Sequence, residues 1–106
     1  MAELPSEIKI GTRVYKLEFI KDLKAFDDPT EDLDGECSDG NYIKINSNNP
    51  DVVIKSTLLH EMIHAIGYYI GDDDLVNSEG KVTCLANILY DLLITNPEIL
   101  NFLFDR

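Results

Sequence analysis

The chain has no tryptophan, two cysteines, two histidines, and nine Lys and Arg residues against twenty Asp and Glu in 106 residues. Each scarcity removes an expectation. A formal charge of -11 works against the neutralisation of phosphates, so neither nucleic acid nor an anionic membrane surface is expected as a partner. Cys37 and Cys84 show neither CxxC spacing nor a dense cysteine framework, which points to a reduced, cytoplasmic setting. No apolar run approaches the roughly 20 residues needed to cross a bilayer. The opening Met-Ala-Glu-Leu-Pro-Ser-Glu lacks the basic and then apolar pattern of a secretory leader.

What is present fits one α+β domain over residues 1–106, with 44% hydrophobic residues and room for a single core. Any site must share residues with that core. The acidic runs Asp22–Asp39 and Asp72–Asp74 read as solvated loops.

The first half reads as strand. Ile8–Ile10 forms a short strand before a turn at Gly11-Thr12. In Arg13–Ile20, Tyr15, Leu17 and Phe19 alternate with Val14, Lys16 and Glu18, which puts an apolar row on one face. A loop rich in Pro and Asp follows around Phe26–Leu33. Asp39-Gly40 then marks a hairpin between Gly35–Ser38 and Asn41–Asn46.

The second half reads as helix. Asn49-Pro50-Asp51 supplies a cap, a proline and a first-turn acid, and Gly71 a stop, for a helix over Pro50–Ile70. Val52, Leu59, Ile63, Ile66 and Ile70 fall on one stripe, expected to face the core, and His60, His64, Gly67 and Tyr68 on its neighbour. A second helix over Glu79–Thr95 presents Val82, Leu85, Ala86, Leu89, Leu92 and Leu93. Asn96-Pro97-Glu98 opens a short terminal helix to Phe104.

His60-Glu61-Met62-Ile63-His64 is an HExxH sequence inside the first of these helices. Residues four apart stand one above the other, so both imidazoles reach one ion at about 2.0–2.1 Å. Glu61 points to the side of the pair, where it can take the proton of a water held by the same ion. These are the chain's two histidines, so a zinc ion (Zn2+) needs a third ligand of another type. The longer HExxHxxGxxH pattern fails because its last position is Ile70, although Gly67 matches it. Glu79 is the chosen ligand: it opens the next helix, on the side of Val82 and Ala86, and is expected to face inward. Asp72–Asp74 and Cys84 are the other candidates. Gly67 is expected to admit another segment close beneath the metal. Tyr68, one turn beyond His64, either packs or donates to an oxyanion or a substrate carbonyl.

Thr57-Leu58-Leu59-His60-Glu61-Met62-Ile63-His64-Ala65-Ile66, with Glu79-x-x-Val82-x-x-Leu85-Ala86-Asn87 and Asn96-Pro97-Glu98, resembles small HExxH proteins of phages and prophages. The glutamate segment is similar to the third-ligand segment of ImmA/IrrE-type metallopeptidases. The resemblance covers Gly35 to the C-terminus. It implies a gluzincin-like arrangement with His60, His64 and Glu79 as zinc ligands and Glu61 as catalytic base, in a bacterial or phage setting.

The expected architecture is a small N-terminal sheet packed on the HExxH helix, with the glutamate helix and the terminal helix behind. Asn41–Asn46, the strand before the active-site helix, is expected to border the cleft and pair with an extended peptide. The expected activity is zinc-dependent hydrolysis of a peptide or protein substrate. The rival is a non-catalytic zinc-binding protein that engages a phage or host partner.

Overall fold

The computed structural model describes residues 4–105; residues 1–3, where the segment read for a leader begins, lie outside the described residues, as does residue 106. Four strands precede four helices: β1 (Glu7–Ile10), β2 (Arg13–Ile20), β3 (Gly35–Cys37), β4 (Tyr42–Asn46), α1 (Asp51–Ile70), α2 (Asp73–Asn77), α3 (Glu79–Thr95) and α4 (Pro97–Phe104). The fold is α+β, as the patterning implies.

The sheet is two hairpins joined side by side, in the order β1-β2-β4-β3. Gly11 (φ 61°) turns β1 into β2, and Gly40 (φ 72°) turns β3 into β4, a left-handed conformation that glycine adopts without strain. Arg13 braces the second turn through an ion pair with Asp39 at 2.6 Å. Between the hairpins, β2 runs parallel to β4, with Leu17 opposite Ile43 and Phe19 opposite Ile45. Tyr15, Leu17, Ile43 and Ile45 therefore project from one face, and α1 covers them with Ile54, Leu58, Met62 and Ala65.

That packing corrects the expected core stripe of α1. Val52, Ile66 and Ile70 are exposed, while Ile63 is buried and packs with Leu59 against Val82 and Ala86 of α3. The helix carries apolar residues on two flanks. The broad sheet takes Ile54 to Ala65, and the narrower α3 covers only part of the stripe that periodicity selected.

The caps also differ in detail. Pro50 occupies the N-cap of α1 without a side-chain cap bond, and the Asn49 amide donates instead to Asp34 at 3.0 Å. Gly71 ends α1 in the left-handed conformation, its N–H bonding to Gly67 O, as the stop signal implies. The acidic run read as a solvated loop opens α2, capped by Asp72, whose carboxylate accepts from Leu75 N–H at 3.1 Å. Ser78 caps α3 by accepting from Lys81 N–H at 3.3 Å.

Beyond Val82 and Ala86, the apolar side of α3 stays open: Leu85, Leu89 and Leu92 are exposed. Among the elements, α4 contacts α3 alone. Among the described residues, no helix is long and apolar enough to cross a membrane.

Candidate metal centre

The two histidines stand one turn apart on α1, and the first turn of α3 brings Glu79 across to them. His60 Nε2 and His64 Nε2 are 3.1 Å apart. Glu79 Oε1 lies 2.6 Å from His64 Nε2, and its Oε2 lies 3.2 Å from His60 Nε2. One ligand atom from each residue falls within a group no wider than 4.8 Å, close enough to bind a single metal ion. Two imidazole nitrogens bound tetrahedrally at about 2.0–2.1 Å stand roughly 3.3 Å apart, so the observed spacing fits.

The environment of each imidazole favours an inward lone pair. His64 Nδ1 lies 2.8 Å from the carbonyl oxygen of Leu75. A carbonyl only accepts, so this bond puts the proton on Nδ1 and leaves Nε2 free to coordinate. His60 Nδ1 lies 3.4 Å from the Thr83 hydroxyl. Burial pulls the His60 pKa down, against the opposing charge of Glu79, which favours the neutral ring that a metal needs. Two ring nitrogens and a carboxylate in contact repel unless a proton or a metal cation sits among them. The donor set fits a metal on those grounds.

Close packing sets this geometry. A Cβ on Gly67 would stand 2.7 Å from Leu75 Cβ and 2.9 Å from the Leu75 carbonyl carbon. Gly67 therefore admits α2 against α1, in the way its position next to the motif implies, and sets the Leu75 carbonyl on His64.

Glu61 is 94% buried, on the flank of α1 that meets β3. A Cβ on Gly35 would stand 2.9 Å from Glu61 Oε2 and 2.6 Å from Thr57 Cγ2, so only a glycine backbone passes here. Burial, with lesser repulsion from Glu79 and Glu36, pushes the Glu61 carboxyl up to about 8. Without a metal the group therefore keeps its proton at neutral pH, and a cation held by the neighbouring cluster would favour the carboxylate, the form that accepts a proton.

Three sequence expectations need correction. Glu79 reaches the histidines from the side of Val82 and Ala86, yet its side chain is 72% exposed rather than turned inward. The alternative aspartates serve the backbone and the surface: Asp72 caps α2, and Asp74 pairs with Lys81 at 3.4 Å. Cys84 is exposed and outside the cluster. The third correction concerns the cleft. The strand β4, within the segment expected to border it, is flanked on both sides by β2 and β3, so it has no edge to offer a peptide.

The open edge at the site belongs to β3. Ser38 N–H bonds to Tyr42 O at 2.9 Å and Asp34 O accepts from Asn46 N–H at 2.8 Å. Antiparallel alternation then turns the main-chain groups of Gly35 and Cys37 toward the open side. A recess there is lined by Gly35, Cys37, Glu61, His64, Tyr68 and Glu79. Tyr68 is thus beside the cluster, and burial holds its phenol above the ordinary value, so the hydroxyl stays protonated. A larger cavity of about 670 Å³ opens on the other side of Glu61, walled by Asp34, Ser56, Thr57, Asn87 and Tyr90.

Sequence reasoning missed Leu75, Thr83, Gly35 and Cys37. Leu75 acts through its carbonyl and Gly35 through its lack of a side chain, and neither leaves a motif. Burial and the charge of Glu61 push the Cys37 thiol up to about 12, so it is a neutral neighbour of Glu61. No family model, curated protein or solved structure matches the chain, so the reading of its function rests on this geometry and on the motif.

Proposed function

We propose that the chain is a zinc-dependent peptidase of minimal, gluzincin-like design, akin to the HExxH proteins of phages and prophages that its sequence resembles. The observation that carries the reading is the meeting of His60, His64 and Glu79 beside a buried Glu61 at the open edge of β3. A set of two histidines and a carboxylate suits zinc. Bound there, zinc would polarise a substrate carbonyl and acidify water.

The chain's own residues would do the rest. Gly35 and Cys37 offer main-chain donors and acceptors to an extended peptide, with Gly35 letting that backbone come close to Glu61. Glu61 takes the proton of the attacking water and passes it to the leaving amine. Tyr68 donates its hydroxyl hydrogen to the oxygen that gains charge as the carbonyl is attacked.

Glu61→Gln separates this reading from a zinc protein without catalysis. The variant keeps its zinc, because Glu61 is not a ligand, and cleavage of an unbiased peptide library falls by about a hundredfold to ten-thousandfold. Cleavage by Glu61→Gln at the wild-type rate contradicts the role given to Glu61. Zinc-loaded wild type that cuts no library member favours the non-catalytic rival.

A further inference from the structure

Two recesses flank the Glu61 carboxylate, and they differ in size. The one lined by Cys37 and Tyr68 holds about 190 Å³, and the other about 670 Å³. Glu61 lines both and is 94% buried, yet among the described residues its carboxylate accepts no hydrogen bond. A buried polar group left in that state faces a space that a ligand enters.

Strand β3 aims a docked peptide into this space. A Cβ on Gly35 would meet Thr57 and Glu61, so Gly35 faces α1. Beyond Gly35 the chain continues the wall of the larger cavity with Asp34 and Leu33, whereas Cys37 belongs to the smaller recess. Residues opposite one another on paired strands project to the same face. A peptide residue paired at the Gly35 end of β3 therefore turns its side chain toward α1, over the larger cavity.

That cavity has mixed walls. Leu33, Val53 and Tyr90 are half-buried and supply apolar surface, while Ser56 and Asn87 satisfy each other through a hydrogen bond of 2.9 Å. Among the described residues no Lys or Arg lines it, and its acids are Asp32, Asp34, Glu61 and Glu79. A divalent ion held by the cluster would balance Glu61 and Glu79, and Asp32 already pairs with Lys24. Asp34 is left without a counter-charge. The Asn49 amide donates to its carboxylate at 3.0 Å, and its carbonyl accepts from Asn46 N–H at 2.8 Å, so side chain and backbone are both held. Its charge acts on His60, which places it on the side of the cluster.

An apolar wall beside one fixed carboxylate suits a side chain with an apolar stem and a cationic head, as Lys and Arg have. A wholly apolar side chain would crowd Asp34 without giving it a partner. The net charge of -11 draws the same class of substrate toward the chain.

We propose that the larger cavity receives a Lys or Arg side chain of the peptide docked on β3, its stem against Val53 and Tyr90 and its cation on Asp34. The substrates of the site are then peptides with a basic residue close to the scissile bond. This deepens the peptidase reading and rests on it for the docked peptide.

Binding without turnover tests the pocket apart from the chemistry. The probes are pentapeptides, acetylated and amidated to remove terminal charge, with Lys, norleucine or Glu between two pairs of alanines. They are titrated into the zinc-supplemented full chain carrying Glu61→Gln, and amide chemical shifts report binding. The lysine peptide is expected to bind about threefold to tenfold tighter than the norleucine peptide, which has the stem but no ammonium, and to shift the amides of Asp34, Gly35 and Thr57. Added Asp34→Asn, which keeps an acceptor for Asn49, removes the preference, and Asp34→Lys turns it toward the glutamate peptide. Glu98→Gln removes the same charge from α4, outside the cavity wall, and leaves the preference in place. Equal or tighter binding of norleucine, a lysine preference that survives Asp34→Asn, or no binding of any probe at about 10 mM overturns the proposal. Lysine-selective binding by a protein that cuts no peptide keeps the pocket and retires the peptidase. Cleavage of a peptide library with no preference for a basic residue near the cut retires the pocket and keeps the peptidase.

Discussion

The two flanks of α1 are treated very differently by the fold. Toward the sheet, Leu58, Met62 and Ala65 meet Tyr15, Leu17, Ile43 and Ile45, four residues at least 95% buried, and the layer is closed. Toward α3, burial stops at Ile63, Val82 and Ala86, and the apolar residues around them remain open. The His60, His64 and Glu79 cluster sits between these flanks. The closed flank holds the helix that carries the histidines, and the thin one delivers Glu79. Apolar periodicity thus reports which faces avoid water, and the partner's shape decides which of them is covered.

The contrast is sharpest in truncation. Ile45→Ala removes a fully buried side chain and is expected to cost about 2–5 kcal/mol in urea unfolding. Leu92→Ala, on the open flank, costs less than about 1 kcal/mol. Equal losses would mean that the two flanks are equally packed.

Metal binding should strengthen the weaker junction, since it ties Glu79 of α3 to both histidines of α1. Zinc at a hundredfold excess over its dissociation constant adds about 2.7 kcal/mol of stability. The gain vanishes in His64→Ala. An equal gain in that variant would place the ion elsewhere.

Two glycines give effects of opposite sign. At Gly67 a methyl group would meet Leu75, so Gly67→Ala brings about 1–3 kcal/mol of overpacking strain, beyond the ~1 kcal/mol gained in helix propensity. It also weakens zinc binding by displacing the carbonyl on His64. At Gly80 nothing lies within 4 Å, and Gly80→Ala is expected to stabilise α3 by up to about 1 kcal/mol. Thermal melts of the two variants check both signs.

A further effect, read in pH, belongs to Glu61 in the metal-free protein. Its carboxyl, about 8 when folded, titrates near 4.3 in the unfolded chain. Between those values the folded state holds the extra proton, so stability falls as pH rises, by up to about 1.4 kcal/mol per pH unit. Denaturation at pH 5.5 and 7.5 shows this slope in wild type and its loss in Glu61→Gln. Zinc flattens it, because a nearby cation favours the carboxylate. A slope unchanged by Glu61→Gln would assign the titration to another group.

What was legible in the sequence was local. Asp39-Gly40 and Asn96-Pro97 sit where the chain turns, Gly71 ends α1, and the HExxH spacing aligns His60 and His64 because helical geometry is fixed within a few residues. Glu79 was reachable because its helix had to pack on α1. The parallel pairing of β2 with β4 was not legible, since it depends on a crossover through the irregular stretch from Lys21 to Asp34. That pairing buries β4 and makes β3 the edge at the cleft. The Leu75 carbonyl escaped notice for a similar reason: a backbone group becomes a partner only after α2 has folded against Gly67.

The central claim is that His60, His64 and Glu79 form one zinc site, and competition titration of tag-free protein with a chromogenic zinc chelator tests it most directly. The account predicts about one zinc per chain, with affinity reduced at least about a hundredfold in His60→Ala, His64→Ala and Glu79→Ala and reduced far less in Asp72→Ala and Asp74→Ala. Stoichiometric zinc held with undiminished affinity by His60→Ala/His64→Ala, or an aspartate variant weaker than Glu79→Ala, would contradict it.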